Sequence, residues 1–166
     1  MTKSIAKTLI VACTASFLAA FPIAAARAEP AAPPAADSGV VRVKSGYGMS
    51  ETIARIKQDV AAKGIKFFDE IDQTSLAGEA GIKLRPSTLL VFGNPPLGIQ
   101  FLTANPYAAL DWPVRMIVFQ DSDGQVWIAY TAFDYIARRH HIADRPAQFK
   151  MASEVAASVA SSAQTQ

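Results

Sequence analysis

A short polar turn between two apolar segments constrains the fold more than any other feature of the 166-residue sequence. The segments Val114 to Gln120 and Gln125 to Tyr130 are rich in β-branched and aromatic residues, and Asp121 to Gly124 has the composition of a hairpin loop. Strands joined by so few residues pair antiparallel, because a parallel pair needs a longer crossover connection. The sequence therefore predicts an antiparallel sheet that contains this hairpin.

Helix and strand patterns alternate around the hairpin. Ile53, Ile56 and Val60 recur at helical spacing, and we expect this helix to begin at a Ser50 cap and to end at Gly64. Asp144 is expected to cap a last helix that runs to about Ala160. The remaining predicted elements are strands at 40–43, 65–72 and 87–92, and short helices at 75–81, 95–105 and 134–141. The order β-α-β-β-β-β-α, with small helices inserted, predicts an α+β two-layer β-α-β4-α domain in which helices pack on one face of an antiparallel sheet.

The first 28 residues have the pattern of an export signal. Lys3 and Lys7 precede an apolar run, and Ala26-Arg27-Ala28 offers the small residues that a signal peptidase accepts. An uncleaved membrane anchor and a lipoprotein acylated at Cys13 are the alternatives. Because Thr8, Thr14, Ser16 and Pro22 interrupt the run, we expect cleavage after Ala28, a periplasmic location and no stable membrane insertion afterwards.

Removal of this segment changes the composition from which function is judged. The formal net charge falls from +2 to −1, and Cys13, the only cysteine, is lost. A chain without cysteine excludes disulfide scaffolds, cysteine nucleophiles and thiolate metal sites, and its near-neutral charge argues against nucleic-acid binding. We expect a Pro/Ala-rich flexible linker at 29–38, a single domain at 39–160 and a disordered polar tail at 161–166.

A set of short motifs occurs in a characteristic order along the domain. They are Thr52-Ile53-Ala54, Lys63-Gly64, Ile71-Asp72, Leu84-Arg85-Pro86, Phe92-Gly93-Asn94-Pro95, Ala109-Leu110-Asp111-Trp112-Pro113 and Asp123-Gly124-Gln125-Val126-Trp127 through Tyr130. Over roughly residues 40–142 the ordered set resembles the bacterial family called domain of unknown function 302. The resemblance implies a compact α+β fold of the TATA-binding-protein type and a homodimer, but no settled activity. Gln73 stands where the family often has His, and Ile99 where a threonine is common, so chemistry that uses those groups is not expected in this chain.

The junction between the strand at 87–92 and the next helix is a candidate binding site. Asn94 and Gly98 lie where free backbone N–H groups could attract an anion or a carbonyl oxygen. The alternative is that Asn94 only caps the helix. Tyr130 is a further candidate, either for ligand stacking or for core packing beside Val126 and Ile128.

The ionisable candidates are His140, Arg139 and Asp111. An Arg-His pair after the Tyr130 strand also recurs in the family that this chain resembles. The arrangement that we expect is a cationic surface cluster of residues 138–141 at a helix end, with Asp111 bonded to its own backbone. Adjacent His140 and His141 cannot easily face one metal, and Asp121 and Asp123 fit a hairpin better than a calcium loop, so we predict no metal site and no cofactor.

The sequence leaves two functions open. The first is a non-catalytic periplasmic module that binds a small ligand or another protein. The second is a small periplasmic enzyme that uses Arg139 and His140 with Asp111 or Asn94. Few reactive groups accompany an intact fold, and the sequence favours the first function.

Overall fold

The computed structural model describes residues 38–164. This part of the chain contains five strands and five α-helices. The predicted signal, most of the predicted linker and residues 165–166 lie outside it. One further short helix, of the 3₁₀ type, spans Pro106–Leu110. In chain order the elements are β1 (Val40–Lys44), α1 (Met49–Ala62), β2 (Lys66–Asp72), α2 (Gln73–Glu79), β3 (Ser87–Gly93), α3 (Pro95–Ala104), β4 (Val114–Gln120), β5 (Val126–Thr131), α4 (Phe133–Arg139) and α5 (Pro146–Ser161).

The strands form one antiparallel sheet in the order β1-β5-β4-β3-β2, and the predicted antiparallel sheet is confirmed. The predicted hairpin joins β4 to β5, and Met116 lies between Leu90 of β3 and Tyr130 of β5. Asp121 closes the turn by accepting the backbone N–H groups of Asp123 and Gln125, each at 3.0 Å. The central strand β4 therefore connects both halves of the sheet.

The core lies between one face of the sheet and the helices. Alternate residues of the central strands, including Leu90, Met116 and Ile128, are fully buried with Ile56 and Val60 of α1 and with the apolar side of α5. The large apolar side chains on the opposite face stay partly exposed and do not join this core; we call this the outer face, and it carries Leu89, Val91, Ile117, Phe119 and Trp127. The predicted two-layer arrangement is confirmed.

Two boundary expectations differ from the structure. The helix α1 begins at Met49 with Gly48 at its cap position, so Ser50 is already inside the helix. Asp144 does not cap α5, because Arg145 takes the cap position and pairs with the Asp144 carboxylate instead.

Of the helices between residues 38 and 164, none combines the length and the hydropathy of a transmembrane span.

The predicted disordered tail is wrong for the residues that the structure describes. The helix α5 continues to Ser161, and Ala163 is fully buried. The carbonyl of Ala163 accepts the Gly46 backbone N–H at 3.0 Å and the Ser45 hydroxyl at 3.1 Å. The prediction relied on the polar composition of this segment, which does not indicate that its one alanine is buried or that the alanine carbonyl accepts two long-range hydrogen bonds.

Candidate functional site

Asp111, Arg139 and His140 come together, although 28 and 29 positions separate Asp111 from the other two residues. Both oxygens of the Asp111 carboxylate lie 3.2 Å from Nη1 of Arg139, and Oδ2 lies 2.6 Å from Nε2 of His140. Since a carboxylate can only accept, Nε2 carries the donated proton. Arg115 approaches Oδ1 from a third side, at 3.7 Å. We call these four side chains the Asp111 cluster.

Local sequence explains how the cluster is assembled. Asn105 begins the 3₁₀ helix by accepting the Tyr107 backbone N–H at 3.0 Å, and Asp111 follows the last residue of that helix. The Asn105 side chain also donates to the carbonyl of His140 at 2.8 Å, which ties the 3₁₀ helix to the end of α4. His141 leaves α4 with φ +52°, a left-handed conformation that turns the chain sharply after His140.

Burial decides what the Asp111 cluster can do. An Asp-His pair is the arrangement that orients a general base, but such a base needs an open approach for a substrate. The side chains of Asp111 and His140 are each only 5% exposed, and the crevice beside Asp111 has a volume of about 10 Å³. That space is at the lower limit of what can hold a single water molecule. The prediction that His140 belongs to a surface cluster is therefore wrong. The prediction that Asp111 bonds its own backbone is wrong as well.

A larger cavity, of about 350 Å³, lies at the end of the sheet between β3, α3 and α5. Its wall is mostly apolar, and each of these elements contributes to it, as do the loops around them. The residues from the three elements are Phe92 and Gly93, Leu97, Gly98 and Phe101, and Met151, Ala152, Val155 and Ala156. This volume is in the lower part of the range that small-molecule sites occupy.

Trp112 forms one side of the cavity and depends on two glycines. A Cβ at Gly98 would lie 1.9 Å from Nε1 of the indole, and a Cβ at Gly93 would lie 3.1 Å from the same atom. The indole therefore packs directly on the backbone of α3 and on the end of β3. Its other contact is an edge-to-face arrangement with Phe68, with 6.1 Å between ring centroids. Gly98 is required because any side chain there would overlap the ring, and a side chain at Gly93 would press closely against it.

Hydrogen bonding at the start of α3 supports the capping interpretation of Asn94. Pro95 and Pro96 occupy the first two helical positions and have no backbone N–H to offer. The N–H of Leu97 points to Oδ1 of Asn94 at 3.2 Å, and that of Gly98 to the Asn94 carbonyl at 2.9 Å. The backbone donors on which an anion site at this helix would depend are already used.

Three polar side chains line the cavity among residues 38–164: Lys63, Asn94 and Trp112. Nζ of Lys63 is held by Asp59, at 2.5 and 2.6 Å from its two oxygens. Among residues 38–164, no acceptor pairs with the indole N–H of Trp112. The nitrogen of this group is not fully buried. Solvent or a ligand can therefore reach it.

The structure divides the candidate residues between these two regions. Asn94 and Gly98 line the cavity, and Asp111, Arg139 and His140 form the cluster. Tyr130 lies in neither region: it is 8% exposed in the core, and burial raises the pKa of its hydroxyl. Sequence reasoning missed Trp112, Asn105 and Arg115; the two glycines around the strand–helix junction were the available signal for an aromatic ring packed there.

Within residues 38–164, we find neither a metal site nor a further candidate site at the acidic residues of the hairpin. Within residues 38–164, no group of three or more His, Asp or Glu side chains is placed to hold a metal ion. At the hairpin, Asp121 accepts the indole N–H of Trp127 at 2.6 Å, and this bond holds the pKa of the Asp121 carboxyl below its usual value. The hairpin interpretation of Asp121 therefore accounts for its contacts.

The fold and the cavity together define a two-layer α+β domain with an apolar space of small-molecule size between its sheet and its helices. Residues 41–164 match the family described as "Domain of unknown function DUF302". The chain belongs to the DUF302 family. The match extends past residue 142, where the resemblance described from the sequence ends, and includes α5.

Similar proteins come from several bacteria. The "Fluoride-specific ion channel FluC 1" of Brucella suis biovar 1 is 34% identical over 106 residues, which are 64% of this chain and 42% of that protein. The "Fluoride-specific ion channel FluC 2" of Brucella melitensis biotype 1 is also 34% identical over 106 residues, or 39% of its length. The chain thus spans about two fifths of the length of these curated relatives. A crystal structure of an uncharacterized conserved DUF302 protein from Bacillus stearothermophilus has a TM-score of 0.66 at 20% identity, and it covers 76% of this chain and 98% of its own; this likeness shows the fold.

Proposed function

We propose that this protein is a non-catalytic binding domain that takes a small, mostly apolar molecule into the cavity beside Trp112. The observation that carries the proposal is the cavity itself: about 350 Å³ of mostly apolar space with polar side chains at few positions. Binding sites for small molecules combine these same features. The volume corresponds to about a dozen water-sized groups, which sets the size of the ligand.

The alternative enzyme would use Arg139 and His140 with Asp111 or Asn94. Asn94 lines the cavity, whereas the other three side chains meet in the Asp111 cluster. In that cluster the carboxylate and the imidazole bond to each other below the surface, with no space for a substrate beside them. These facts favour binding over catalysis. Ion conduction, named for the Brucella relatives, is not part of the proposal because the match covers about two fifths of those proteins.

Filling the cavity tests this function. Ala156 is buried in the cavity wall, and Ala157 is exposed on the same helix, so Ala156→Leu and Ala157→Leu add the same side chain at adjacent positions. We expect naphthol, a fluorescent probe of suitable size, to bind the wild type and the Ala157→Leu variant, and to bind the Ala156→Leu variant at least tenfold more weakly. Equal binding to all three proteins would contradict the proposal, as would no binding to the wild type.

We also propose that the domain acts after export to the periplasm. The support is in the sequence: Lys3, Lys7, the apolar run and the Ala26-Arg27-Ala28 pattern. All described elements begin after residue 38, so cleavage after Ala28 would leave each of them in place. N-terminal sequencing of the protein from a periplasmic extract should give a chain that starts at Glu29; an intact leader in the cytosolic fraction would overturn this.

We propose a homodimer that forms through the outer face. Lys44 lies on this face at the β1 edge and Asp69 at the β2 edge, as their register with Trp127 and Val91 places them. Two copies packed face to face, about a two-fold axis parallel to the strands, would bring each Lys44 edge over the partner's Asp69 edge. Ile117→Asp, at the centre of the face, should convert a dimer to a monomer in native mass spectrometry, and Tyr107→Asp, outside it, should not. A monomeric wild type would contradict the proposal.

A further inference from the structure

We propose that the ligand of the cavity is an apolar molecule that carries a carboxylate at one end. This inference rests on the proposed function and deepens it, because it assigns chemistry to the polar part of the ligand. It comes from the kinds of hydrogen-bonding groups that line the space.

The polar side chains of the cavity wall offer donors rather than acceptors. The Trp112 indole and the Asn94 amide each provide N–H groups, and Lys63 provides an ammonium. The one side-chain oxygen among them, Oδ1 of Asn94, already accepts the Leu97 backbone N–H at 3.2 Å. Within residues 38–164 no Asp or Glu lines the cavity. A ligand that brings its own acceptor oxygens would satisfy these donors, and one that brings an ammonium would find no carboxylate.

Trp112 is the best placed of these donors. Its ring is fixed against the backbones of Gly93 and Gly98, so its N–H is held in one position before a ligand arrives. Its nitrogen is accessible and has no acceptor among residues 38–164. A preorganised donor at the wall of an apolar space gives an entering oxygen a hydrogen bond without the cost of ordering a side chain.

Lys63 gives the preference for a charged acceptor. Its ammonium has three donors, and the two oxygens of Asp59 take up two of them. Asp59 leaves the third N–H of the ammonium available, and Lys63 lines the cavity whereas Asp59 does not. Hydrogen bonds to ionised groups are about twice as strong as neutral ones. The arrangement therefore favours a carboxylate over a neutral carbonyl.

Three probes with one apolar body test this inference: naphthalene, naphthoate and naphthylmethylammonium. We expect the wild type to bind naphthoate about tenfold more tightly than naphthylmethylammonium, as one hydrogen bond to a charged group implies. Trp112→Phe keeps an aromatic ring but removes the donor, and it should weaken naphthoate binding about tenfold while naphthalene binding changes less than about twofold. Trp127→Phe is the matched control, because its indole donates to Asp121 outside the cavity.

The outcomes separate this inference from the proposed function. If the wild type binds none of the three probes, the cavity does not bind small molecules and the proposed function fails. If naphthalene binds but naphthoate binds no better than naphthylmethylammonium, the cavity proposal stands and the carboxylate inference is wrong. Should Trp112→Phe not fold, Lys63→Gln provides a second test: it should weaken naphthoate about threefold and leave naphthalene unchanged, and an equal effect on both probes would overturn the inference.

Discussion

Val114 and Phe133 separate two regions whose polar side chains are satisfied in different ways. On one side, the Asp111 carboxylate is held by Arg139 and His140 and is almost fully buried. On the other side, Trp112 lines an apolar space of about 350 Å³, and its indole N–H has no acceptor among residues 38–164. The first region contains the residue types that usually suggest catalysis, whereas the wall of the second is made mostly of glycine, alanine, aliphatic and aromatic residues.

The comparison separates a structural role from a binding role. Groups that satisfy one another below the surface connect parts of the chain, here the 3₁₀ helix, the start of β4 and the end of α4. Groups that have a partner only when a ligand arrives are candidates for recognition. Removing a side chain from the cluster should therefore affect stability, and changing the cavity should affect binding first.

The largest expected effect is the loss of the Asp111 carboxylate. Asp111→Ala leaves His140 buried without its acceptor, and breaking a buried pair in this way costs about 3–5 kcal/mol of unfolding free energy. The control is Asp134→Ala, which breaks an exposed pair with Arg138 and should cost about 1 kcal/mol or less. Urea denaturation of the two variants measures both. Similar losses would show that the cluster does not stabilise the fold.

A smaller effect is expected at Gly98, where stability and binding should change together. Gly98→Ala places a methyl group 1.9 Å from Nε1 of Trp112, so the ring has to move. Overpacking of this kind costs about 1–3 kcal/mol, and the displaced indole should weaken naphthol binding. Gly78→Ala is the matched control in α2: a Cβ there meets nothing within 4 Å, and the gain in helix propensity is about 1 kcal/mol. Unchanged naphthol affinity in Gly98→Ala would show that Trp112 does not shape the site.

Much of the fold could be predicted because it depends on neighbouring residues. The hairpin turn sets the β4–β5 pairing, Asn94 and Pro95 begin α3, and Gly64 takes a left-handed φ of +64° after α1. Each of these signals acts within a few positions of the chain. The errors at Ser50 and Asp144 were also local, and they shifted a helix start by two residues or less.

The sites were harder to predict because they depend on distant residues. His140 and Asp111 were recognised as candidates, but no local pattern indicates that a pair 29 positions apart is buried and mutually bonded. The cavity depends on the absence of side chains at Gly93 and Gly98, which lets Trp112 fit there. The spacing of residues in a sequence predicts where side chains lie more readily than it predicts the space beside a glycine.

The smallest expected effect on stability is at Asp121, and it tests whether hydrogen bonding without burial makes a carboxylate important for the fold. Asp121 is bonded as fully as Asp111, by the Trp127 indole, two backbone N–H groups and, at 3.5 Å, Arg42, but it lies at the surface of the hairpin. Because the Trp127 bond lowers the pKa of the Asp121 carboxyl, the ionised form stabilises the folded state above the unfolded pKa of 3.8, and this stability is lost as the pH falls through the lower folded pKa.

Urea denaturation at several pH values between about 5 and 2 should therefore show a shallower acid loss of unfolding free energy for Asp121→Asn than for the wild type. Asp123→Asn changes a residue of the same turn whose carboxylate makes one contact, at 3.5 Å with Ser122, and it should keep the wild-type slope. If Asp121→Asn instead destabilises the protein at neutral pH as strongly as Asp111→Ala, pairing alone explains both sites. A small effect confined to acid pH would show that burial makes the Asp111 cluster important.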